Sequence, residues 1–100
     1  MTKSAGYHPK ITTHVRKDGM RVRLNEAVSR RLTELLCQRN MTQYQLFKRT
    51  GVPKTTISNV VNCVHPSVRL RIIHEMCQGF EISLTEFFDS PLFDENNLEP

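Results

Sequence analysis

The sequence predicts an all-α fold of five helices, with a basic arm or β-hairpin over residues 1–23 and an acidic tail over residues 90–100. Three observations carry that prediction. Apolar residues recur at helical spacing through Val28, Leu32, Leu35 and Leu36, and again through Leu70, Ile73, Met76 and Cys77. Thr42 with Gln45, and Ser83 with Glu86, have the spacing of helix-starting caps. Between the two stripes, Gly51-Val52-Pro53 joins two short helices at a three-residue turn.

Residues 1–23 are rich in Lys and Arg, poor in apolar side chains, and carry Gly6, Pro9 and Gly19; the first dozen are expected to be disordered. Asp18-Gly19 is a two-residue hairpin signal that would set Val15 opposite Val22. The same stretch also reads as a flexible basic arm (Lys10, Arg16, Lys17, Arg21, Arg23) suited to phosphates or a minor groove, or as an inert extension. The helical domain should occupy residues 24–89. Its first helix should start with Asn25 as N-cap and Glu26 in the first turn, and end near Arg39-Asn40.

Thr42 caps the second helix, Met41 and Leu46 have the spacing of a hydrophobic staple, and Gly51 ends it in a left-handed conformation. Pro53 presets the third helix, in which Ile57, Val60 and Val61 point one way. Lys54, Thr55, Thr56 and Asn59 fall on the other side, near its N-terminal half. A loop from Asn62 to Ser67 leads to a fourth helix over Val68 to Gln78, stopped by Gly79. Phe80 and Ile82 should pack its exit, and Leu84, Phe87 and Phe88 should bury the fifth helix. After Asp89 the tail reads as frayed apart from Leu92-Phe93.

One hundred residues suit one small domain. No apolar run reaches membrane-spanning length and no signal peptide is visible, so a cytoplasmic location without a membrane partner is expected. Three cysteines with no close pair fit reduced thiols. Cys37 and Cys77 should fill core and His74 should lie at the surface. A metal or redox sensor built from His74, Cys77 and Cys63-Val64-His65 is the less economical reading, and no cofactor is expected. No nucleophile–base pair, phosphate loop or paired carboxylates point to an enzyme. Charge is more telling. Residues 1–54 hold 12 Lys and Arg against Asp18, Glu26 and Glu34, a net of +9, whereas residues 55–100 carry a net of −5. A basic face at one end suits a polyanion, although a solvated surface can also divide its charge this way.

A helix that enters a major groove needs small polar groups near its N-terminus and an apolar back. The third helix has both. The order Thr-Gln-x-x-Leu, Gly-Val, x-x-x-Ile-Ser across Thr42–Ser58 resembles the Cro and phage-repressor (XRE) family of helix-turn-helix regulators, in a gapless match from about Leu32 to Asn62 that continues more loosely to Phe88. That resemblance implies base reading by Lys54, Thr55, Thr56 and Asn59, with a phosphate contact open to Lys54. It also implies a backbone grip by Gln43 and Asn62; Asn62 reads by residue type as a helix C-cap as well, in place of that contact or alongside it. Thr42, Tyr44 and Arg49 are further backbone candidates, and Lys48 and Arg49 read equally well as a solvated face.

Three departures from the family pattern stand out. Phe47 replaces the usual Ala, so the packing of the second helix on the third must open or re-route. Pro53 replaces a Ser or Thr cap. Leu36 and Val61 together replace an Arg–Glu pair, a swap that leaves no buried charge unpaired. The resemblance implies a bacterial or phage transcription regulator, a repressor by type, binding double-stranded DNA as a homodimer. An antitoxin that also blocks a toxin partner, or a protein-interaction module without DNA, are the rival readings.

Overall fold

A computed structural model of the chain describes residues 21–100. Helix α1 spans Leu24–Gln38, α2 Gln43–Thr50, α3 Lys54–Val61, α4 Leu70–Phe80 and α5 Leu84–Phe88, and short 3-10 helices follow at Pro91–Phe93 and Glu95–Asn97. Among the described residues no strand forms, only an isolated parallel bridge between Val22 and Leu98. The expected Asp18-Gly19 turn and Val15 lie outside the described residues, and so does most of the basic arm.

Helix α1 starts two residues earlier than the sequence suggests. Arg23 is the N-cap position, and its N–H donates to the Glu26 carboxylate at 3.0 Å. Asn25 is not the cap: it is buried, and its Nδ2 donates to the carbonyl of His65 at 3.0 Å. A buried amide needs a partner, and this one ties the α3–α4 loop to α1. Val28, Leu32, Leu35 and Leu36 are buried as their spacing requires. Cys37 is exposed instead of buried, because one step past Leu36 turns the side chain about 100° out of the stripe.

Thr42 and Gln45 cap each other's backbone N–H groups at 3.1 and 2.8 Å, and Gly51 closes α2 at φ +77°. Leu46, Val52 and Ile57 fill the angle between α2 and α3 with almost no exposure. Leu36 and Val61, the apolar pair in place of charges, both pack in this core.

Helix α4 corrects two expectations. Leu70 is its first residue and is 62% exposed, so the buried stripe begins only at Ile73. Gly79 does not stop the helix. Glu81 at φ +61° takes the left-handed cap, two residues on. Gly79 serves close approach: a Cβ there would run into Thr50 Cγ2 and touch Leu46 Cδ1, so its absence lets α4 lie against α2.

Ser83 Oγ accepts the Glu86 N–H at 3.0 Å and starts α5, whose Phe87 is fully buried. Arg31 reaches across from α1 with Nε to the Phe87 carbonyl at 2.7 Å and Nη2 to the Glu86 carbonyl at 2.8 Å. It thereby satisfies carbonyls that a helix end leaves orphaned. Beyond α5 the chain is not frayed. Phe93 packs edge-on to Phe88 at 4.9 Å, Asn97 is buried with its Nδ2 on the Pro91 carbonyl, and Val22 exchanges backbone bonds with Asn97 and Glu99. No helix of the described residues is long and apolar enough to cross a membrane.

Candidate nucleic-acid interface

Packing divides α3 lengthwise. Ile57 and Val60 are buried behind it against α1 and α2, and Ser29 Oγ of α1 donates to the Val61 carbonyl at 2.6 Å. In front, Lys54 and Thr55 are exposed, and Thr56, Ser58 and Asn59 are half-exposed. All four residues expected to read bases therefore share one open face. Ile57 and Val60, buried behind them, anchor the helix that carries them.

Gln43 and Tyr44 stand exposed in the first turn of α2, directly after the Thr42 cap. Tyr44 leans toward Phe47, with ring centroids 6.0 Å apart. Lys54 crosses the turn to this pair, its Nζ 5.4 Å from the Tyr44 centroid and 5.8 Å from that of Phe47. Phe47 is thus re-routed to the rim, half-buried, where a ring too large for the α2–α3 angle can lie.

The other backbone candidates separate. Asn62 is exposed at the C-cap of α3, and its Nδ2 donates to Ser58 Oγ at 3.1 Å. Arg49 lies at the far end of α2, about 10 Å from Thr42 along the axis, and its Nη1 donates to the Gly79 carbonyl at 3.1 Å. Arg39 likewise donates to the Phe80 carbonyl at 2.6 Å. Both guanidiniums sit where the last carbonyls of α4 gather negative charge.

A cleft of about 530 Å³ runs beside the open face of α3, walled by Thr56 and Asn59 on one side and by His65, Ser67 and Arg69 on the other. From sequence this loop reads only as a connector closed by Pro66. Arg69, one of two basic residues after Lys54, was the available signal, and the Asn25 tether that folds the loop back is invisible in sequence.

His74 is exposed and Cys77 buried, so the two do not face one way. Cys63 is half-buried, its Sγ 3.8 Å from the Asn25 carbonyl. Among the described residues no group of three or more His, Cys, Asp or Glu is placed to hold a metal ion.

The family model for the Cro/C1-type HTH DNA-binding domain matches residues 31–91, more than half of the chain. Among solved structures, two of the restriction-modification controller protein C.Esp1396I share the fold. A point mutant aligns with a TM-score of 0.64 at 22% identity, over 73% of this chain and 91% of its own. The wild type aligns at 0.63 and 22%, over 69% and 90%. At that identity the likeness speaks for the fold alone. No curated protein matches.

Proposed function

The chain belongs to the Cro/C1-type helix-turn-helix DNA-binding family, and from that premise we propose that it is a sequence-specific transcription regulator acting as a repressor in the cytoplasm. One observation carries the reading. The apolar side of α3 is spent on the core while Lys54, Thr55, Thr56 and Asn59 face out from its front and N-terminal half. In a major groove, the carboxamide of Asn59 can pair with adenine N6 and N7, and the Thr methyls can meet a thymine methyl. Thr42, Gln43 and Tyr44 at the start of α2, and Asn62 after α3, flank that face where phosphates would run. Arg49, held by α4, takes a smaller share in this reading.

A short palindrome would be read by a homodimer, with the two α3 helices about 34 Å apart. The second copy is proposed to sit against α5 and its tail, where Leu84, Phe88 and Phe93 keep partial exposure.

Asn59→Ala tests the assignment. It should flatten the base preference at one position of each half-site, a loss of about 1–3 kcal/mol in discrimination, and leave the salt dependence of binding unaltered. Fluorescence anisotropy with matched and single-substituted duplexes reads both quantities. Unchanged discrimination in the variant would remove Asn59 from the reading set.

A further inference from the structure

Phe47 puts a large ring, half-buried, at the rim of the α2–α3 angle. It stands one helical turn after Tyr44, so the two rings share a face of α2. Their planes meet at 53° with centroids 6.0 Å apart, which suits two ring quadrupoles better than a flat stack. The Lys54 ammonium lies within about 6 Å of both centroids, the range in which a ring face attracts a cation. Lys48 approaches the Tyr44 ring at 6.0 Å from the following turn. Tyr44 is 54% exposed and Lys54 is exposed, so the arrangement stands in solvent at the edge of the reading face.

A lysine at the start of a groove helix can reach a base edge or a phosphate. Its stem is long, and holding it in one place costs rotamer freedom. Two ring faces fix much of that freedom before DNA arrives. They offer the ammonium no conventional hydrogen-bond acceptor, so its N–H groups stay available. A phosphate is satisfied by a roaming point charge. A directional contact gains most from an ammonium held in place.

We propose that the Tyr44–Phe47 pair is a positioning element for Lys54, aiming its ammonium at the O6 and N7 acceptors of a guanine, so that Phe47 sets specificity without touching a base. The inference rests on the reading of α3 as a groove helix. It makes the departure at Phe47 part of recognition rather than a packing accident.

The test is selection from a pool of randomised duplexes, with binding repeated across salt, for the wild type and for Lys54→Ala, Phe47→Leu, Phe47→Tyr and Tyr44→Leu. Lys54→Ala should erase a guanine preference at one position per half-site and spare the others. Phe47→Leu should weaken that same preference about two- to fivefold, with the salt slope unchanged. Phe47→Tyr, which keeps the ring, should retain it. Tyr44→Leu, at an exposed position outside the core, should weaken the guanine preference as Phe47→Leu does, on top of a uniform loss of affinity from its own phosphate contact, even if Phe47→Leu disturbs folding, which thermal melts would reveal. Two results overturn the proposal. One is a Lys54→Ala variant that binds all sequences uniformly more weakly with a salt slope reduced by about one, the signature of a phosphate ligand. The other is a guanine preference that survives at wild-type strength in both leucine variants. A wild type that enriches no motif would sink the groove-helix reading as well, and it is seen before any variant is compared.

Discussion

Cys77 sits fully buried on α4, within reach of Arg31 and Glu86. Burial pushes its thiol up from 9.0 to about 11, against the opposing pull of the Arg31 guanidinium, which favours the thiolate. Between those values the unfolded chain releases a proton that the folded chain keeps. The contribution to stability is therefore full below about pH 9 and lost as pH rises toward 11. Urea unfolding should show a steeper fall across that window for the wild type than for Cys77→Ala, and equal slopes would contradict it. At this scale the sequence was an uneven guide. Cys37 and Cys77 looked alike in composition, yet one step of helical phase puts the first in water. Asn25 reads as a cap by residue type, and only the His65 carbonyl, forty residues away, gives its amide a different use.

Gly79 carries the corresponding argument for the elements. Its substitution by Ala should gain about 1 kcal/mol of helix propensity. The added Cβ meets Thr50 Cγ2, however, and Thr50 cannot swing away without losing its Oγ1 bonds to the Leu46 carbonyl and the Val52 N–H. Gly79→Ala should thus destabilise by about 1–3 kcal/mol in chemical unfolding, and Thr50→Ser in the same chain should restore most of the loss. A Gly79→Ala chain as stable as the wild type would refute the close approach of α4 and α2. Helix boundaries were legible where a cap and its partner lie three residues apart, as at Thr42 with Gln45 and Ser83 with Glu86. They were misread where a distant element decides. The start of α4, the use of Gly79 and the folding of the tail onto Val22 all depend on surfaces that local spacing does not describe.

Across the whole molecule, the chain closes on itself: the Val22–Leu98 bridge sets the acidic tail beside the first described residues, at the N-terminus of α1. Asn25 holds the α3–α4 loop to that same end. Among the described residues, Arg21 and Arg23 thus flank the bridge to a tail that carries Asp94, Glu95 and Glu99. Candidate base contacts were readable because α3 must bury Ile57 and Val60, which leaves its polar side open whatever the partner. The cleft beside it, and the cradle that Tyr44 and Phe47 form for Lys54, arise only when separate elements meet.

The central claim, that this chain reads a defined operator through α3, is tested most directly by selecting and sequencing duplexes it retains from a random pool. An enriched inverted repeat is expected, its half-sites about one helical turn apart, with affinity falling steeply as salt rises. Retention without an enriched motif would mean that charge alone holds the DNA, and would contradict the account.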